Sequence, residues 1–205
     1  MPRSKIIKDI VENNKSISVA LQQLLVITNE LNNKELNTWI KSELNGYSRK
    51  DNLPHYRTNL PNTILYSGIN GSFHVTNQPL PLKFFGDYKK EIIDLNSINN
   101  SIGEIENYKN SNMCLDLTSF ASVIYKNSGI SCVNISMKFG NNASERILSN
   151  VKTKIIESLL LLEGEFGILD EFCFEEDEIS PNKIDKVNEE INSIIFSDGT
   201  EYQYV

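Results

Sequence analysis

The chain has 205 residues, 40% of them hydrophobic and 23% charged, with a formal net charge of −7. That length suits one domain of ordinary size with or without a short appendage, and the composition excludes wholesale disorder. The acidity is local: the stretch from Glu163 to Glu178 holds eight acidic residues and no Lys or Arg, and setting those eight aside leaves 20 basic residues against 19 acidic ones. An overall basic footprint is therefore absent, and nucleic acid is not favoured as a partner. The three cysteines, Cys114, Cys132 and Cys173, form no Cys-x-x-Cys pair and lie far in sequence from His55 and His74. They read as reduced thiols, with no metal, no cofactor and no disulfide framework expected. The start, Met-Pro-Arg-Ser-Lys, lacks the apolar core of a signal peptide. The longest apolar runs, Leu24 to Ile27 and Leu159 to Leu162, fall far short of the ~20 residues of a membrane helix. The expectation is a cytoplasmic protein with no membrane partner.

The first elements read as helices. Ile6, Ile7, Ile10 and Val11 mark a helical face within residues 4 to 14. Ser16 is placed to cap a second helix, whose apolar side carries Ile17, Ala20, Leu21, Leu24, Leu25, Thr28 and Leu31. Asn32 is read as the cap of a third, with Glu35 at the capping-box position and Leu36, Trp39, Ile40 and Leu44 as its buried stripe. Gly46 stands where a left-handed glycine would stop that helix.

After Gly46 the period changes. Pro54 and Pro61 bracket an extended segment, and residues 63 to 69 and 72 to 76 read as two strands joined by Asn70-Gly71, a strong hairpin signal. Gly68 reads as a further turn glycine, and Gln78-Pro79-Leu80-Pro81 as a stiff connection. Residues 83 to 94, 97 to 109 and 115 to 125 read as helical. Residues 131 to 139 alternate as a half-buried strand. A long helix is expected from Ser144 to about Gly164, with Ile147, Leu148, Val151, Ile155, Leu159 and Leu162 on its stripe. Beyond the acidic run, Ser180-Pro181 opens a last helix whose Ile184, Val187, Ile191 and Ile194 make a narrow heptad seam. Gly199 breaks it, and residues 200 to 205 read as a terminal strand. The fold class is thus α+β and mainly helical: an N-terminal helical unit, a small hairpin or sheet, and a long C-terminal helix over residues 1–165. Residues 166–205 form a short appendage suited to self-association. One and a half heptads are too few for a lone coiled coil, so the seam should pack on a neighbouring chain or on the body.

Trp39, Glu43, Asn45, Gly46, Tyr47, Pro54, Tyr56 and Arg57 stand out together, in Glu43-Leu44-Asn45-Gly46-Tyr47 followed by Leu53-Pro54-His55-Tyr56-Arg57. By these elements and their order the chain resembles the AbiTii-type abortive-infection proteins of bacterial phage defence, over roughly residues 4 to 165. The resemblance implies a role in which an infected cell stops growing or dies before phage matures. It carries over no catalytic residue. Physically, Trp39 suits a core and Gly46 a helix stop. Tyr47 and Tyr56 suit packing or the stacking of a ligand. Arg57 suits either a clamp on Glu43 or a phosphate. His55 and His74 sit in no triad or metal motif, and the run Glu175 to Glu178 reads as a solvated segment before it reads as a cation site.

Three functional readings follow. The first is a non-enzymatic sensing, binding or oligomerisation module, working as a homo-oligomer or with a defence-system partner protein and responding to a phage-derived trigger. The second is a toxin enzyme acting on nucleic acid or nucleotide through a pocket of Glu43, Tyr56 and Arg57. The third is a regulatory subunit of an effector encoded nearby.

Overall fold

The computed structural model describes residues 3–48, 50–108, 113–140, 142–171, 174 and 180–197. Among them the helices are α1 (Lys5–Val11), α2 (Ile17–Ile27), α3 (Lys34–Asn45), α4 (Lys89–Asp94), α5 (Ile102–Asn107), α6 (Ala121–Ser128), α7 (Asn142–Phe166) and α8 (Pro181–Phe196). The strands are β1 (Asn62–Asn70), β2 (Phe73–Pro79), β3 (Cys114–Asp116) and β4 (Ser131–Phe139). The fold is α+β and mainly helical, with one small antiparallel sheet, as expected. No helix of the described residues is long and apolar enough to cross a membrane.

The chain divides into two compact units, the first formed by residues 1–55, 99–107 and 146–205 and the second by 56–98 and 108–145. The formal charge divides unevenly too. The first unit carries 13 Lys and Arg against 22 Asp and Glu, and the second carries seven against five.

The first unit is a helical assembly. The stripe of α7 is buried along its length through Ile147, Leu148, Val151, Ile155, Leu159 and Leu162, and α2 buries Ile17, Ala20, Leu21, Leu24 and Ile27. Every helix start leaves N–H groups without an intrahelical partner, and here acidic side chains from distant sequence supply several. Ser16 caps α2 as expected, accepting from Val19 N at 3.2 Å, while the Glu106 carboxylate of α5 accepts from Ile17 N at 2.7 Å and Ser18 N at 3.3 Å. Asp170 accepts from Lys5 N at 2.7 Å at the start of α1. Glu163 accepts from the Ser4 backbone, from the Ser4 hydroxyl at 2.6 Å and from Arg3 at 2.6 Å. A negative charge at a helix N-terminus also meets the positive end of the helix dipole.

The cap of α3 is Asn33 rather than Asn32. Its side chain accepts from Leu36 N at 3.0 Å, whereas Asn32 takes a left-handed turn at φ 52° that closes the 3-10 segment Thr28–Leu31. That extra turn shifts the helix start by one residue. The same Asn33 amide donates to Asn188 at 3.2 Å and Asn192 at 2.9 Å on α8, while Asn188 donates to Leu31 O and Asn192 to Glu35. Lys154 of α7 donates to Ile194 O at 2.7 Å near the end of α8. Thus α8 lies against its own unit. It buries Val187, Ile191 and Ile195, a spacing of four, while Ile184 and Ile194 are half-buried.

The second unit holds the sheet, in the order β2-β1-β4-β3. The turn at Asn70-Gly71 is formed, with Gly71 at φ 59°. One face buries Ile64, Tyr66, Ile135, Met137 and Phe139. Gly68 is not a turn glycine: it sits at a bulge in β1, where a Cβ would stand 2.0 Å from Ser131 O of β4. The stretch read as a connection enters β2 as far as Pro79, which an edge strand tolerates. Three helical readings are shortened. Residues 83 to 94 form a 3-10 segment and α4, interrupted at Gly86 with φ 55°. Residues 97 to 109 are helical only over α5, because Ser97 bridges to Thr58 and Ile98 N donates to Arg57 O. Residues 115 to 125 open as β3, since Leu115 pairs with Met137, and turn helical only after Asp116. The expected terminal strand and the run Glu175 to Glu178 lie outside the described residues.

Burial opposes ionisation of Glu163, but the Ser4 hydroxyl, Arg3 and the Ser4 backbone outweigh it and hold its pKa below the ordinary carboxylate value. A depressed folded pKa stabilises above the unfolded pKa and loses that contribution as pH falls through the folded value. Glu163→Gln is therefore expected to lower stability at neutral pH by about 1–2 kcal/mol, the order of a charged hydrogen bond. Urea unfolding at several pH values should show that difference shrinking in acid.

Candidate functional site

The signature residues of the first unit stack along the last turns of α3. Trp39 is buried, and the side chain of Glu43 lies fully inside. Tyr47, one turn on, donates its phenol to Glu43 Oε1 at 2.8 Å. Asn45 is exposed at the helix end. Gly46 has the positive φ expected of a stop, 84°, but its ψ of 168° is extended and not left-handed helical. The chain therefore leaves the helix sharply instead of winding back. A Cβ at Gly46 would stand 2.9 Å from Asn99 O and 3.2 Å from Ser101 N.

That close approach sets two loops side by side. Tyr47 N donates to Asn99 O at 2.8 Å, and the Asn99 amide donates to Tyr47 O and Ser48 O at 3.4 and 3.3 Å. Asp51 receives Ser48 N at 2.7 Å, and hydrogen bonds from Ser48 lower its pKa. Between the loops opens a shallow recess of about 420 Å³, lined by residues 45–48, residues 99–101 and Glu104. Glu104 closes a capping box on α5: Ser101 N donates to its Oε2 at 3.0 Å, and Glu104 N donates to Ser101 Oγ at 3.3 Å. The backbone bond from Ser101, then the side-chain bonds from Asn100 and Ser101, push the Glu104 pKa down. The lining thus offers amides, hydroxyls, main chain and one ionised carboxylate. It includes no Lys, Arg or aliphatic side chain among the described residues.

The remaining signature residues belong elsewhere. Pro54 is half-buried. Tyr56 and Arg57 sit in the second unit, in a buried 3-10 turn at His55–Arg57. Arg57 donates through Nη1 to Ile98 O at 3.0 Å, and its own carbonyl accepts from Ile98 N at 3.1 Å. His55 is exposed and meets Arg146 Nη2, 3.3 Å from its carbonyl and 3.4 Å from Nδ1. No group of three or more His, Cys, Asp or Glu among the described residues is placed to hold a metal. Sequence reasoning missed residues 99–101 and Glu104 because it ran a helix through them. The signal was there: Ser101-x-x-Glu104 is itself a capping box and starts the helix at Ile102, not at Ser97.

Fold and site together define a mainly helical α+β protein whose signature segment builds a helix stop and a polar recess. The AbiTii family model matches residues 4–188, and the chain belongs to the AbiTii family. Membership marks it as an abortive-infection defence protein. The match runs past the residue 165 at which the sequence resemblance was drawn, into α8. No curated protein and no solved structure matches the chain.

The region of φ and ψ held by Gly46 is open in practice only to glycine. Gly46→Ala is expected to cost about 1–3 kcal/mol, read as a lowered denaturant midpoint. Joint replacement of Val187 and Ile191 by Ser removes two buried side chains, and is expected to destabilise by roughly 4 kcal/mol or more. Light scattering should show no change of mass below the unfolding transition. An unchanged midpoint with an altered mass would return these two residues to an intermolecular seam.

Proposed function

We propose that the chain serves abortive infection as a non-enzymatic sensing or docking module, and that the recess beside Gly46 receives what it senses. The observation carrying this reading is the contrast in exposure within one signature. Glu43 and Arg57 are both fully buried, and Tyr56 is 6% exposed, whereas Asn45 and Ser48 line an open recess. A general acid, base or phosphate clamp must reach its substrate, so burial weighs against a toxin pocket of Glu43, Tyr56 and Arg57 and favours a structural role for them. A regulatory subunit that covers a basic effector through its acidic stretch would need those carboxylates free. Glu163, Glu165 and Asp170 are instead engaged within the chain, with Ser4 and Arg3, Lys186 and Lys5 N. Self-association through α8 keeps only the half-buried Ile184 and Ile194 as support, because Val187 and Ile191 are already covered.

The test is a plaque assay in a phage-challenged host, paired with thermal denaturation of the purified protein. Asn45→Arg and Ser48→Arg are expected to keep the wild-type melting temperature and to lose protection by about tenfold or more, the effect of roughly 1.4 kcal/mol in binding. Arg57→Ala is expected to lower the melting temperature, since it strips a buried hydrogen-bonding side chain. Full protection by both recess variants, together with loss of protection by a natively stable Arg57→Ala protein, would reverse the assignment in favour of the enzyme.

A further inference from the structure

We infer that the recess takes an uncharged polyhydroxylated ring, the chemistry shared by a neutral sugar and the ribose of a nucleoside. This rests on the recess being the docking site, and names the class of ligand that its lining selects. Three features on the wall lead there.

The first is the kind of hydrogen-bonding group presented. The Asn45 amide makes no bond to the described residues and is exposed at the end of α3. An amide carries donors and an acceptor in one plane. Vicinal hydroxyls, each both donor and acceptor, match it where an acceptor-only or donor-only ligand leaves one side unpaired. Opposite, every bond that Glu104 receives from Asn100 and Ser101 lands on Oε2. Its Oε1 keeps lone pairs that only a donor, such as a ligand hydroxyl, can meet.

The second is sign. Glu104 is exposed and its hydrogen bonds favour the ionised form. Among the described lining residues there is no Lys or Arg, so a phosphate or carboxylate would face the like charge of Glu104 without a counter-charge from any of them. The described wall disfavours nucleotides and sugar phosphates.

The third is shape. The recess is open and shallow, and its described lining lacks aliphatic side chains, so that wall gives an apolar ligand little cover. The Tyr47 phenol is committed to Glu43 and its N–H and carbonyl meet Asn99, which leaves its half-buried ring as what it can show a ligand. A ring with polar edges and C–H faces suits such a wall better than a hydrocarbon does.

Saturation-transfer NMR on the intact chain tests this. The probes are glucose and N-acetylglucosamine in one arm and adenosine in the other, each beside its phosphorylated form. Saturation is expected to reach the ring protons in one neutral arm, which identifies the source. The phosphorylated partner should bind about tenfold more weakly. Asn45→Ala should weaken the neutral ligand by about fivefold. Glu104→Gln keeps the capping box, since Gln serves at that position, and removes the charge. It should narrow the gap between neutral and phosphorylated ligand by about threefold or more, with an unchanged melting temperature. Silence from both neutral arms at about 10 mM, or equal or tighter binding of the phosphorylated forms, would overturn the assignment. The two readings fail separately. Recess variants that lose phage protection while no sugar or nucleoside binds sink the ligand class and leave the docking role. Variants that lose binding while protection persists sink the docking role and leave the ligand class.

Discussion

A helix begins with N–H groups that its own backbone does not satisfy, and the first unit is organised by how they are met. Glu106 reaches from α5 to the first N–H groups of α2. That bond does more than end a helix tidily. It fixes α5 against α2, and so places the chain just before α5, at residues 99–101, beside the end of α3. There Asn99 meets Tyr47, and the recess follows. Ile102 and Ile105 on the inner side of α5 are fully buried, so apolar packing supplies the attraction and the carboxylate supplies the register. Packing alone would let a six-residue helix slide, because hydrophobic contact has no direction.

The same principle changes what the described part of the acidic segment means. By composition, the eight acidic residues from Glu163 to Glu178 are only a local excess of charge. In the fold, the Glu163 side chain is 8% exposed and holds Ser4 and Arg3, Glu165 faces Lys186, and Asp170 covers the start of α1. These three carboxylates lie close in sequence because the end of α7 and the residues just after it serve both the start of α1 and Lys186 of α8. Charge count could not reveal this, because a carboxylate at a helix terminus and one in water contribute the same formal −1. Only the partners differ.

Much of the fold was legible for a physical reason. Long apolar periods, as in α7, and local chemistry, as in Ser16 or Asn70-Gly71, act over a few residues and can be read there. The failures share a cause as well. Leu115 carries no local strand signal; it is a strand because Met137 pairs with it. Ser97 fits a helix until Thr58 bridges to it. Gly68 belongs to a bulge that only the β4 backbone explains. In α8 the hydrophobic seam was visible, yet its burial shifted from Ile194 to Ile195. The amides of Asn188 and Asn192 engage Leu31, Asn33 and Glu35, and turn that face inward. Polar positions four apart on a helix read as solvent-facing until a partner for them is seen.

The recess was invisible for a further reason, and it bears on why residues 39 to 57 are so recognisable. The chain passes from the first unit to the second between His55 and Tyr56, and returns between Ile98 and Asn99. On the first side of these crossings, Tyr47 pairs with Asn99; on the second, Arg57 pairs with Ile98. Near these two crossings each unit thus holds a main-chain bond of its own, and each bond comes with a strict demand on one residue. Gly46 must be glycine to let Asn99 approach. Arg57 is fully buried, its guanidinium bonded to the Ile98 carbonyl, and its replacement leaves that acceptor without this donor. Demands of this kind fix residue identities as firmly as catalysis does. The Glu, Tyr and Arg of this segment are thus engaged inside their own units, and the exposed groups beside them are the plainer ones, Asn45 at the helix end and Glu104 of the capping box.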